Sequence, residues 1–282
     1  MPRYRRNRRF TRKKLLNITS EKKRDKMLTW TNTTAANPVG STTYSSTPAI
    51  LKGASGLNVY CFPFCATARD NTTGTDTNTG RPGNKYDVAT RTSSNPFMVG
   101  LKENIEIQVP DGMPWQWRRF CFTYKGGETM AGALPASNSG YAPAREISVG
   151  WVRILNSLGA VDQATFFGVI FQGANTVDWA DPMTAKLDTE RLSVKYDRTC
   201  TIASGNEEGV IRQYKRWHGM HKMLQYYDDE SGGTVSPSFF STVGNSGMGD
   251  YWIVDLFKPR MGATASNNMS FNCESTLYWH ER

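Results

Sequence analysis

Acidic residues are missing from the first twenty positions of this 282-residue chain, and Glu21 follows a segment, Arg3 to Lys14, in which eight of twelve residues are Arg or Lys. Such a stretch repels itself and cannot bury a core, so residues 1–28 read as a disordered arm. No apolar run is long enough to span a bilayer, which argues against membrane insertion. Gly-Lys does not occur, so there is no Walker A loop to cradle phosphates, and the Gly-x-Ser-x-Gly elbow is absent too. With three histidines and no paired catalytic motif, nothing nominates an enzyme mechanism. The five cysteines are odd in number and follow no apolar leader, so they read as reduced, packed thiols. Cys61-x-x-x-Cys65 with His218-x-x-His221 invites a zinc site, but the cysteine spacing and strand-like surroundings fit poorly, and Asp228-Asp229-Glu230 reads as an exposed turn. No metal and no cofactor is expected.

What is present is charge in one place. Residues 1–26 hold 12 basic and 2 acidic residues, a net of +10, whereas the remaining 22 basic and 23 acidic residues leave the body at −1. A nucleic-acid enzyme would spread its cations over a substrate cleft; here the excess sits on one arm. The arm has no sustained apolar face for a membrane, and it lacks the serines and amphipathic spacing of a mitochondrial presequence. Nucleic-acid binding and nuclear import remain, and they are compatible. The candidate phosphate-binding residues are Arg3, Arg5, Arg6, Arg8, Arg9, Arg12, Lys13 and Lys14, followed by a second cluster of Lys22, Lys23, Arg24 and Lys26 that also completes an import signal. Deleting residues 1 to 26 is expected to leave the melting of the subunit nearly unchanged.

Beyond the arm, residues 29–48 are rich in Thr, Ser and Asn and read as an extended linker. Residues 49–282 then read as one all-β domain, with eight tryptophans to fill its core. Ile105, Ile107 and Val109 alternate with Glu106 and Gln108, as in a half-buried strand, and Arg118-Arg119 interrupts a similar alternation, which suggests a bulge. Further strand-like segments lie near 57–66, 147–155, 165–173, 191–202, 208–218, 250–258 and 270–280, and the one helical piece starts at Asp181-Pro182 and runs to about Asp188. Eight or nine strands imply a β-sandwich or barrel, of which a jelly roll is one kind. Within the body, Tyr214 to Lys222 interleaves bases and aromatics. On a strand, Tyr214, Arg216 and His218 share one face, with Lys215 and Trp217 on the other. Lys215, Arg216, Trp217 and His218 are therefore candidate contacts to nucleic acid, against the plainer reading of a strand with Trp217 in the core.

Several segments carry a family resemblance. Leu16 to Leu28 after the Arg-rich stretch, Phe171-Gln-Gly-Ala-Asn-Thr-Val-Asp-Trp-Ala-Asp-Pro182, Ser204-Gly-Asn-Glu207, Gly247-Met-Gly-Asp-Tyr251 and Ser275-Thr-Leu-Tyr-Trp-His-Glu281 resemble the capsid proteins of genomoviruses, small circular single-stranded DNA viruses. The resemblance implies a single jelly-roll coat subunit and an icosahedral homo-oligomer of about sixty copies. It also implies a virion with the basic arm inside on the single-stranded DNA genome, and passage to the host nucleus through import receptors. The alternative is a cellular basic-armed β-domain that binds nucleic acid without forming a shell.

Overall fold

Side chains on a strand alternate between two faces, and the burial of residues 101–109 follows that period: Leu101, Glu103, Ile105, Ile107 and Val109 are buried, while Lys102, Asn104 and Gln108 are exposed. The computed structural model describes residues 11–74, 81–127, 130 and 143–282. Its first half contains helix α1 (Arg12–Thr19) and strands β1 (Glu21–Met27), β2 (Thr29–Thr31), β3 (Ala49–Lys52), β4 (Tyr60–Cys65), β5 (Thr72–Thr73), β6 (Arg81–Pro82), β7 (Phe97–Val109) and β8 (Trp115–Tyr124). Strands β9 (Arg145–Ile147) and β10 (Gly150–Leu155) lead to helix α2 (Ala160–Ile170). Strands β11 (Ser193–Ile202), β12 (Val210–Met223), β13 (Asp229–Ser231), β14 (Thr234–Ser236), β15 (Asp250–Pro259) and β16 (Asn268–Glu281) follow.

Two antiparallel sheets form a sandwich, which makes the chain all-β. One runs β1-β16-β7-β12, with β3 also beside β16, and the other runs β11-β8-β15-β4. Among the long strands β1, β4, β7, β8, β11, β12, β15 and β16, the first pairs with the eighth, the second with the seventh, the third with the sixth and the fourth with the fifth. Strands β11 and β12, consecutive in the chain, are the lateral edges of the two sheets on one side, with no further strand beside them among the described residues.

Strands β4, β8 and β15 of the second sheet are buried on both faces, whereas its edge strand β11 is largely exposed. Phe120, Phe122, Trp252, Val254 and Leu256 pack outward against Phe166, Phe167 and Ile170 of α2 and against Phe171, Leu187 and Leu192. Between the sheets lie two apolar clusters, one with Leu101, Cys121, Ile253, Leu277 and Trp279, the other with Ile105, Ile107, Trp115, Trp117, Phe257 and Phe271. A buried ionic layer joins strands of both sheets there. Arg119 reaches Glu103 Oε2 at 2.6 Å and Asp255 Oδ1 at 2.7 Å, and Arg153 reaches Glu103 Oε1 at 3.2 Å and Asp255 Oδ2 at 3.3 Å. Two cations face two carboxylates, so the layer is neutral.

Five expectations from the sequence are corrected. The arm does not extend to residue 28. Thr11 caps α1 by accepting from the Lys14 N–H at 3.3 Å, the Arg-Lys-Lys-Leu-Leu run favours helix, and residues 21–27 are a full strand paired with β16. The 29–48 segment is not simply a surface linker, because Thr29, Thr31, Asn32 and Thr33 are buried and β2 pairs in parallel with β10. Residues 165–170 belong to α2, whose both-sided apolar character imitates a buried strand. Residues 181–188 form one turn, with Thr184 and Ala185 donating to Asp181 O, rather than a helix. Finally, β8 passes Arg118-Arg119 without a break; the register shift lies in the neighbouring strand, between Val194 and Tyr196 of β11, opposite Phe122 and Cys121.

Candidate nucleic-acid interface

Strand β1 sits at the edge of the first sheet, so its basic run is divided by the pleat. Lys22, Arg24 and Lys26 point outward and are exposed, while Lys23, Asp25 and Met27 point into the sandwich. Lys23 Nζ lies 3.1 Å from Glu281 Oε2 and donates to Thr90 O at 2.9 Å and Thr92 Oγ1 at 3.0 Å. Asp25 pairs with Arg69 at 3.1 Å. The expectation that Lys23 binds phosphate is therefore corrected: its ammonium is buried in an ion pair within the fold. At the outer edge of β1, Arg24 N donates to Val88 O at 3.0 Å.

The exposed face of this sheet gathers further cations. Reading across the strands, Lys26 stands opposite Thr276, Thr276 opposite Lys102, and Lys102 opposite Trp217. In the next row Arg24 stands opposite Tyr278, which stands opposite Gly100. Residues directly opposite in an antiparallel pair share a face, so Lys22, Arg24, Lys26, Lys102, Lys215 and Trp217 lie on one surface. Lys22, Arg24, Lys26, Lys102 and Lys215 form no ion pair with any other described residue. Of the carboxylates on the same surface, Glu106 accepts from Gln213 at 2.9 Å and from Gln108 at 2.6 Å, which lowers its pKa, and Glu274 is exposed.

Trp217 is 52% exposed, so it is not a core residue. Its ring centroid lies 5.9 Å from that of Tyr278, with 52° between the planes. A Cβ on Gly100 would come within 2.5 Å of the His218 carbonyl oxygen and 2.6 Å of the indole Cζ2, so backbone and ring together occupy the space a side chain would need there.

The other two body candidates face inward, as the alternation of 214–218 requires. His218 Nε2 is 2.9 Å from Glu103 Oε2 and its Nδ1 is 3.2 Å from the Tyr251 hydroxyl, which makes it a buried partner of the ionic layer and removes it from a nucleic-acid surface. Arg216 extends between the Tyr196 and Tyr214 rings at 5.6 and 5.7 Å, and its buried Nε has no hydrogen-bond partner among the described residues. It lines a cavity of about 300 Å³ between β11 and β12, together with Lys195 and His218. Burial and the charge of Lys222 both lower the pKa of Lys195, a sign of crowded cations along this edge.

Arg3, Arg5, Arg6, Arg8 and Arg9 lie outside the described residues; Arg12, Lys13 and Lys14 fall in α1, and Lys14 is exposed. Cys61 and Cys65 are packed in the cluster beneath α2, where burial first, and then Asp255 and Asp250 respectively, push their thiols up. Asp228 is not part of an exposed turn: Arg91 binds it at 2.6 Å, while Asp229 and Glu230 are exposed. Lys102 and Tyr278 were missed by reasoning from sequence, because only strand register brings them beside Trp217. The chain matches no protein-family model and no curated protein sequence.

Proposed function

We propose that the chain is a non-enzymatic coat protein that assembles with copies of itself around single-stranded DNA. The observation that carries this reading is the continuity of the basic segment with the first sheet: α1 leads into β1, and β1 sets Lys22, Arg24 and Lys26 on the same exposed face as Lys102 and Lys215. A polyanion following the arm meets further unpaired cations where the arm joins the body. Charge of this kind neutralises phosphates without reading sequence, which is what packaging requires.

The strand pairing supports the same reading. First with eighth, second with seventh, third with sixth and fourth with fifth is the order of a ribbon rolled into a jelly roll of two Greek keys, an architecture used by viral shells and also by lectins and cupins. The resemblance to genomovirus capsid proteins separates these uses in favour of a shell, found in virions and passing through the host nucleus. With Lys23 buried, the basic residues of the proposed import signal are those of the arm together with alternate positions of β1.

Electron microscopy of the purified full-length protein tests assembly. Closed particles with co-purifying single-stranded DNA are expected; a stable monomer that binds nucleic acid would instead assign the chain to the basic-armed binding modules.

A further inference from the structure

We infer that Trp217, flanked by Tyr278, is a stacking platform for one unpaired nucleobase, with Lys102, Lys26, Arg24 and Lys215 placed to take the adjoining phosphates. The inference rests on the proposed binding of single-stranded nucleic acid and assigns a ligand class to one point of that surface.

The posture of the indole is the first reason. A side chain standing straight off a sheet does not reach the Cβ position of the neighbouring strand about 5 Å away. The benzo edge of Trp217 does reach it, since a Cβ on Gly100 would lie 2.6 Å from Cζ2 and 3.0 Å from Cη2. The ring is therefore laid over β7, toward Tyr278 on the strand beyond. Leaning this way, the side chain nevertheless stays 52% exposed and open to a ligand.

The surroundings decide the kind of ligand. Lys102 is directly opposite Trp217, Lys26 lies two strands further in the same row, Arg24 is opposite Tyr278, and Lys215 is on the same face of β12 one alternation away. An apolar partner laid on the two rings would strip water from these cations without supplying counter-charges, at high cost. A single-stranded nucleic acid supplies both a π face and phosphates. A duplex keeps its bases stacked inside and offers only phosphates, so the platform favours single strands.

Binding of labelled oligo-dT, an abasic oligonucleotide of equal length and a DNA duplex to the full chain provides the test. Trp217→Ala is expected to weaken oligo-dT binding by about 5- to 150-fold, the range for removing one base stack, and to leave abasic and duplex binding and their salt slopes unchanged. Trp217→Phe is expected to retain most of the affinity. If the wild type binds both single strands with strong salt dependence but Trp217→Ala changes neither, the platform is refuted while polyanion binding stands. Equal losses on all three probes in both variants would assign Trp217 to the fold or to a subunit contact and also refute it. A wild type that binds no probe would overturn the proposed function itself.

Discussion

At the scale of single residues, burial divides charges that look alike in the sequence. Burial alone would raise the Glu103 carboxyl, but Arg119, His218 and Arg153 together hold it well below the usual carboxylate range. Glu103→Gln leaves two buried guanidiniums with one carboxylate, so a loss of about 3–5 kcal/mol is expected in urea unfolding. Asp250 shows the opposite sign: its burial outweighs the donors Ser241 and Thr67 and pushes it up to about 6, from 3.8. A carboxyl whose folded pKa exceeds its unfolded one costs stability as pH rises between those values, here by about 3 kcal/mol. Glu103, with a lowered pKa, stabilises at neutral pH and loses that contribution as acid titrates it below its ordinary range. Unfolding free energy is thus expected to fall between pH 4 and 6 at this site, and Asp250→Asn should flatten that slope whatever it does to the midpoint; an unchanged slope in the variant would assign the pH dependence elsewhere.

At the scale of elements, β1 distinguishes an arm from a strand. Deleting residues 1–20 is expected to leave the melting temperature of the subunit nearly unchanged, whereas deleting 1–27 strips one of the strands paired with β16 and leaves Glu281 buried without Lys23, so the midpoint should drop sharply. Point variants separate the two faces of the strand. Lys23→Ala should lower stability by roughly 3–5 kcal/mol with little effect on the salt slope of DNA binding, and joint replacement of Lys22, Arg24 and Lys26 by Ala should do the reverse. The same strand shows where sequence reading stops. Strand β7 was legible because one face is wet and the other dry, so its apolar residues alternate. In β1 charges occupy both parities, and the inward Lys23 and Asp25 are satisfied by Glu281 and Arg69, far away in the chain, so no local pattern announces a strand. In β8 both faces are buried and alternation disappears, which made a regular strand look bulged. Lys215 and Trp217 were legible as a mixture of bases and aromatics, but Lys102, opposite Trp217, and the neighbouring Tyr278 depend on pairings across more than 100 residues of chain.

At the scale of the whole molecule, an electrically balanced body bears a strongly cationic arm. The lateral edges β11 and β12 carry Lys195, Arg198, Arg212 and Lys222, charges that discourage edge-to-edge pairing of sheets. If about sixty copies close a shell, the eight cations of residues 3–14 place about 480 positive charges on the genome, and Lys22, Arg24, Lys26, Lys102 and Lys215 extend the same field over the exposed sheet face. The most direct test neutralises those eight residues in the full chain, leaving β1 intact, and measures the ratio of nucleic-acid to protein absorbance of the particles together with the salt dependence of DNA binding. The expected result is a folded subunit whose shells are empty or hold much less DNA, with a salt slope reduced by about 0.7 for each phosphate that is no longer neutralised. Particles with undiminished DNA and an unchanged slope would contradict packaging by the arm.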